Sequence, residues 1–181
     1  MKKHLMALLL LVSLLCTVLS GCGDGSAEQT PEDRARANTI NVGIAQDLDE
    51  SLDPHKTVKA GTREVMFNVF EGLMKPTSNG DLTPAVAESY TVSDDHRTYT
   101  FTLREGVKFH NGDAVTAEDV IYSIQRCIAP AETGIVPVEA FSIITDIQAL
   151  DERTVAITIS EPSNEFISYL TTAILPADYE E

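Results

Sequence analysis

The chain has 181 residues, 43% of them hydrophobic, with 13 basic and 28 acidic side chains and a formal net charge of −15. So acidic a composition argues against a nucleic-acid surface and against electrostatic adhesion to anionic lipid, while the length and apolar content suffice for about one packed domain. Only three cysteines are present, too few for a disulfide framework.

Residues 1–21 read as an export signal. Lys2 and Lys3 form a basic start, and Leu5 to Leu19 supply an apolar run too quickly ended to be a comfortable membrane span. Leu19-Ser20-Gly21-Cys22 follows at once and resembles the bacterial lipobox, which implies cleavage before Cys22 and acylation of its sulfur. Two or three acyl chains hold a domain at a membrane firmly where one is marginal. The mature chain then keeps 11 basic and 28 acidic groups, a charge of −17. Cys16 leaves with the signal and Cys22 is acylated, so Cys127 stands alone, expected as a small buried hydrophobe.

From residue 22 to 38 no apolar residue larger than Ala follows the cysteine, the composition of a flexible tether. Residues 39–181 are the expected folded part. Ile40, Val42 and Ile44 alternate with polar or small neighbours and predict a first strand. The acidic loop after it, Gln46 to His55, lacks the spacing of a calcium loop, so Asp47, Asp49, Glu50 and Asp53 read as solvated. His55 has no apparent partners in sequence for a metal or catalytic role.

Val65, Met66, Val69, Phe70 and Leu73 predict a helix over 61–73 with a core-facing stripe, and Gly72 a turn out of it. Ser78-Asn79-Gly80-Asp81 and Asp94-Asp95-His96 read as turns. Tyr99, Phe101 and Leu103 alternate with Thr98, Thr100 and Thr102, the pattern of a half-buried strand. Val107 and Phe109 predict a second short strand, stopped at Asn111-Gly112.

A helix follows. Thr116 is the expected N-cap, its hydroxyl accepting from a first-turn amide while Asp119 reaches back; Val120, Ile121, Ile124 and Ile128 form the packing face. Ala129 to Ala140 is a loop. Phe141 to Ile147 and Thr154 to Ile159 predict two strands around a turn at Asp151-Glu152-Arg153, and Phe166 to Leu170 a helix.

These motifs, taken together, resemble a known family. Pro84, Ala87-Glu88-Ser89-Tyr90, Thr100-Phe101-Thr102-Leu103-Arg104, Gly106-Val107-Lys108-Phe109, Asn111-Gly112-Asp113 and Thr116-Ala117-Glu118-Asp119-Val120 match the signature of the extracellular solute-binding proteins of peptide and nickel ABC importers. The resemblance covers residues 39–178. It implies an α/β, periplasmic-binding-protein-like (class II) two-lobed fold with a mixed sheet, of which only the first-lobe region is expected here.

Ser51-Leu52-Asp53-Pro54-His55-Lys56 is similar to the family's entry to the ligand cleft, which implies a ligand-facing edge at Thr57, Val58, Lys59 and Ala60. Backbone pairing there suits a receptor for many peptide sequences. In relatives an aromatic residue of the later loop touches the solute; the matching Thr133, Gly134, Ile135 and Val136 include none, so Ile135 or Val136 is the apolar wall.

The expected function is a lipid-anchored substrate-binding protein at the extracellular or periplasmic face of the cell membrane. It would capture oligopeptides or dipeptides and pass them to an ABC permease by closure of two lobes. No catalytic residue, metal or cofactor is expected, no nucleic-acid partner, and a monomer. Nickel complexes, haem and oligosaccharide are the alternative ligands on the same scaffold. An exported hydrolase is the alternative of another class, but no nucleophile–base spacing supports it. The sequence reads as the opening portion of a longer protein, so residues 23–181 alone are expected to show no measurable peptide affinity.

Overall fold

The computed structural model describes residues 39, 42–49, 51–57, 59–128 and 134–179. The chain divides after Gly43, and every described regular element lies in the second unit, Ile44–Glu181. In chain order these are α1 (Ala60–Val69), β1 (Met74–Pro76), β2 (Leu82–Pro84), β3 (Ala87–Val92), β4 (Thr98–Leu103), α2 (Ala117–Ile128), a 3-10 turn (Glu139–Ile143), β5 (Ile144–Asp151), β6 (Thr154–Ile159) and α3 (Phe166–Tyr169).

The alternation at β4 behaves as its sequence requires. Tyr99, Phe101 and Leu103 are buried while Thr98, Thr100 and Thr102 are half-buried. β4 pairs with β3 on one side and β6 on the other, giving a four-stranded sheet of order β3-β4-β6-β5. β1 and β2 form a separate hairpin across the expected Ser78–Asp81 turn, with Gly80 at φ 87°. All these pairings are antiparallel. The α/β class holds, and any parallel pairing of a mixed sheet is not among the described residues.

Helix α2 lies across β5 and β6. Its Val120 and Ile124 enter a core with Phe101, Phe141, Val155, Ile157 and Phe166, all buried. Each such side chain contributes roughly 1.5–3 kcal/mol on burial. The N-terminus of α2 is fastened to the β5–β6 turn, where the Ala117 amide donates to the Glu152 carbonyl at 2.9 Å.

Several expectations need correction. Val42, Gly43 and Ile44 form no strand, and Val42 is exposed; Ile40 and Asn41 lie outside the described residues. A strand needs a neighbour's hydrogen bonds, and no described ladder includes this segment. Val107 and Phe109 form no strand either. They sit in a tight loop closed by the Phe109 amide to Asp113 (2.9 Å), the Val115 amide to Val107 (3.1 Å) and a single bridge between Lys108 and Ala114. Phe141 and Ile143 belong to the 3-10 turn, which seats Phe141 in the core before β5 begins.

The helix expected over 61–73 ends at Val69, and its stripe is weaker than its spacing suggests. Met66 is buried, Val65 and Phe70 are half-buried, and Val69 is exposed. The residues after it form a strap. Carbonyls of Glu71, Gly72 and Leu73 accept from Ile174, Val86 and Ala85, and the Met74 amide donates to Leu170. Those long-range bonds outcompete continuation of the helix. Gly72 is accordingly required for proximity rather than for a turn: a Cβ there would meet the Leu170 carbonyl oxygen and the Thr171 carbonyl carbon at 2.6 Å.

Backbone atoms so placed cannot swing aside as a flexible side chain could. Gly72→Ala in the full chain is therefore expected to lower unfolding stability by about 1–3 kcal/mol, measured by denaturant titration. A variant as stable as the parent would show that the strap is not seated between residues 85–86 and 170–174.

Candidate functional site

The loop ahead of α1 is organised from inside. Asp53 is fully buried, and Arg126 of α2 grips it with both ends of the guanidinium: Nη1 donates to Oδ1 at 3.0 Å and Nη2 to Oδ2 at 2.6 Å. The Pro54 step folds the chain back, so that the His55 amide donates to Asp53 Oδ1 at 2.8 Å and the Thr57 hydroxyl to the Asp53 carbonyl at 2.9 Å. Lys56 Nζ stands 3.8 Å from Asp53 Oδ2. Burial by itself would raise the Asp53 carboxyl. The hydrogen bonds from Arg126 and the His55 amide, together with the Arg126 charge, outweigh it and hold the group below its ordinary value.

His55 is buried beside this pair. Its Nε2 is 2.8 Å from the Ala173 carbonyl and its Nδ1 is 3.1 Å from Arg126 Nη1. Its carbonyl accepts from the Val136 amide at 2.9 Å. One residue thus touches the 53–57 loop, α2, the 173–176 segment and the 134–136 loop. The Arg126 guanidinium also lies over the Tyr179 ring, 5.6 Å from its centroid.

A second polar row on α2 extends the same anchoring. Asp119 Oδ2 accepts from the Thr116 amide (2.8 Å) and hydroxyl (2.7 Å), and its Oδ1 accepts from the Ala177 amide (2.8 Å). The reach-back from Asp119 is present as expected, but the Thr116 hydroxyl donates to Asp119 instead of capping an amide. Ser123 accepts from the Leu175 amide at 2.8 Å and donates to the Asp119 carbonyl at 2.7 Å.

The residues singled out from sequence divide clearly. Cys22, Val58 and Thr133 lie outside the described residues. Thr57 is buried with its hydroxyl engaged, and Ile135 is buried. Lys59, Ala60, Gly134 and Val136 are exposed. Lys59 donates its amide to Asp49 Oδ2 at 3.0 Å and its Nζ to the Leu48 carbonyl at 2.8 Å. The His55–Val136 bond brings the loop that ends at Thr57 beside the Gly134–Val136 segment.

Sequence reading assigned Asp53 to a solvated loop and left His55 and Arg126 without a role. The available signal was a histidine and an acid around a rigid Pro, with a single arginine on helix α2. It does not reveal that they meet across 73 residues of chain.

Elsewhere, an open cleft of about 740 Å³ lies between the end of α1, the Val107–Asn111 loop and residues 171–179. Phe70 and His110 meet edge to face at its wall, with ring centroids 6.3 Å apart. Among the described residues, no group of three His, Cys, Asp or Glu side chains is placed to hold a metal. Cys127 is buried, and burial pushes its thiol up to about 11.

Two outcomes follow from this geometry. Arg126→Met leaves the Asp53 charge buried without its guanidinium and is expected to cost about 3–5 kcal/mol in denaturant unfolding. Because the folded Asp53 carboxyl is depressed, the pair's contribution is complete above the ordinary value of 3.8 and is lost as pH falls below it towards the folded value. The parent's stability should therefore fall below that pH more steeply than the variant's. Cys127, mapped by mass spectrometry after iodoacetamide treatment at pH 8, should stay unmodified in the native chain and react once the chain is unfolded.

Comparison with known proteins agrees with this architecture. The sequence pattern described as bacterial extracellular solute-binding proteins, family 5, middle region, matches residues 81–180, more than half of the chain. The periplasmic oligopeptide-binding protein OppA of Haemophilus influenzae is 38% identical over 104 residues, covering 58% of this chain and 19% of that protein. The glutathione-binding protein GsiB of Escherichia coli K12 is 35% identical over 149 residues, 80% of this chain and 29% of GsiB. Among solved structures, Haemophilus influenzae OppA in complex with RPPGFSPFR superposes with a TM-score of 0.64 at 29% identity, over 72% of this chain and 32% of that one. NikZ from Campylobacter jejuni with Ni(L-His) gives a TM-score of 0.63 at 28% identity, over 72% and 26%. The chain thus spans about a fifth to a third of the relatives it matches. By the matched pattern and the shared fold, it belongs to family 5 of the bacterial extracellular solute-binding proteins.

Proposed function

We propose that this chain contributes to the substrate-binding component of an ABC importer, capturing oligopeptides or dipeptides outside the cytoplasm and delivering them to a membrane permease. The observation that carries the reading is the family match over residues 81–180 together with relatives named for oligopeptide and glutathione binding. The geometry is consistent with it. Lys59, Ala60, Gly134 and Val136 are all exposed, and the hydrogen bond from the Val136 amide to the His55 carbonyl ties the loop ahead of α1, where Asp53 meets Arg126, to the loop of Gly134 and Val136. Val58 and Thr133, also expected to meet the solute, lie outside the described residues. Ties of this kind limit the ordering cost when a solute is bound.

The role needs recognition and lobe closure, with no bond made or broken, so the protein acts as a receptor and not as an enzyme. We place it at the outer face of the cell membrane as a monomer, held through acylated Cys22 after removal of residues 1–21, with residues 22–38 as the tether. The Ni(L-His) complex of NikZ, at nearly the same TM-score as the peptide complex of OppA, makes a nickel–histidine complex the second ligand to test.

Two measurements check this reading. Cells expressing the full chain and fed a clickable palmitate analogue should label it at Cys22, and Cys22→Ala should abolish both the label and membrane fractionation. Calorimetry on the intact importer subunit should show saturable binding of short peptides and none of nickel–histidine; the reverse preference would overturn the peptide assignment.

A further inference from the structure

Asn-Gly-Asp occurs twice in the chain, at residues 79–81 and 111–113, and the two copies fold alike. In the first, the Thr77 amide donates to the Asp81 carbonyl at 2.7 Å and the Gly80 amide to the Thr77 carbonyl at 3.0 Å. In the second, the Phe109 amide donates to the Asp113 carbonyl at 2.9 Å and the Gly112 amide to the Phe109 carbonyl at 3.0 Å. Gly80 and Gly112 take φ of 87° and 97°, which a residue without Cβ adopts freely. Both tips are exposed.

The side chains separate the two turns. Asp113 clamps the Asn111 amide at both ends: Nδ2 donates to Asp113 Oδ2 at 2.7 Å, and Oδ1 accepts from the Asp113 backbone amide at 3.0 Å. Among the described residues no hydrogen bond holds the Asn79 side chain, although Asp81 occupies the equivalent position.

We propose that Asn79 is a site of spontaneous deamidation in the folded protein and that the Asp113 clamp protects Asn111 from the same reaction. Asparagine before glycine is the labile arrangement, because glycine leaves its own amide nitrogen unscreened. A Cβ at Gly80 or Gly112 would meet nothing within 4 Å, so both turns stand open to water. In the reaction the Gly80 backbone nitrogen loses its proton to base in the solvent and attacks Asn79 Cγ. A Cγ–N bond forms, the Cγ–Nδ2 bond breaks, and the leaving nitrogen takes a proton from solvent to depart as ammonia. Water then opens the cyclic imide at one of its two carbonyls, giving aspartate or isoaspartate.

Ring closure makes two demands on the native turn. The glycine amide must leave its turn bond, and this cost is shared, since both glycines donate at 3.0 Å. The asparagine side chain must also rotate, and here the sites part. Asn111 has to break two further hydrogen bonds, one of them to a carboxylate, whereas Asn79 breaks none. The product sets a second carboxylate beside Asp81, and isoaspartate lengthens the backbone of the turn that joins β1 to β2. Met74 of β1 is buried and Leu82 of β2 packs against the core, so the length of that turn bears on how the hairpin is seated.

The test incubates the full chain at pH 8, native and in guanidinium chloride, and follows both asparagines by peptide mapping, with isoaspartate read by enzymatic methylation. The native chain should convert Asn79 about tenfold faster than Asn111, the effect of the two extra hydrogen bonds. In denaturant the ratio should fall towards one. Asp113→Ala should bring Asn111 up to the Asn79 rate under native conditions, with circular dichroism showing that the fold is kept. Should that variant unfold, the change of ratio between native and denatured parent decides. Equal native rates at the two sites, both sites intact while the denatured sample reacts, or an Asn111 rate unmoved in a folded Asp113→Ala chain would overturn the proposal.

Discussion

The ion pair between Asp53 and Arg126 is the constraint on which the rest of this region depends. A carboxylate with no exposure to solvent incurs a desolvation penalty of several kcal/mol, which only excellent geometry offsets. Here that geometry is met: a two-pronged guanidinium, an amide from His55 and a lysine nearby satisfy both oxygens. The pair is a poor source of net stability compared with an apolar packing of the same volume. What it supplies is uniqueness of arrangement, because a loop with this acid has one way to be buried and many ways to be wrong.

Helix α2 makes this possible by having two kinds of buried surface. Val120 and Ile124 pack into the sheet core, as their spacing demands, while Asp119, Ser123 and Arg126 are buried as well. Each of those three polar groups takes its partner from a distant part of the chain: Asp119 from Ala177, Ser123 from Leu175 and Arg126 from Asp53. The helix therefore acts as a plank that the sheet fixes on one side and that fixes two loops on the other. A solute-binding protein needs loops of this sort, irregular enough to meet a ligand and still held to a rigid support.

Legibility from sequence followed the range of the interactions involved. Strands β4 and β6 were readable because a period of two over six residues is a local property, and the turns at Gly80 and at Asp151–Arg153 because their residue types favour one backbone conformation. The end of α1 was not readable. Phe70 and Leu73 keep helical spacing, yet the backbone at 71–74 is claimed by residues 85–86 and 170–174, and periodicity carries no record of that competition. The same holds for Val107 and Phe109, where apolar alternation marks two inward-facing side chains of a loop as readily as a strand. The exposed half of the proposed ligand edge, Lys59, Ala60, Gly134 and Val136, was named from family resemblance, and its burial pattern came only with the fold.

By itself the sequence determined the acidic character, the half-buried strands, the amphipathic helix and, through its signature motifs between Pro84 and Val120, membership of a solute-binding family. These are properties of neighbours in the chain or of a long fixed-spacing pattern. Tertiary structure alone decided that Asp53, His55 and Arg126 form one buried unit, that Gly72 is required by the backbone at 170–172, and that the His55–Val136 bond brings the loop ending at Thr57 beside the Gly134–Val136 segment. The physical reason is the same in each case. A buried charge or a close backbone approach is defined by what lies opposite, and the residue opposite is set by folding over tens of positions, not by the local order of side chains.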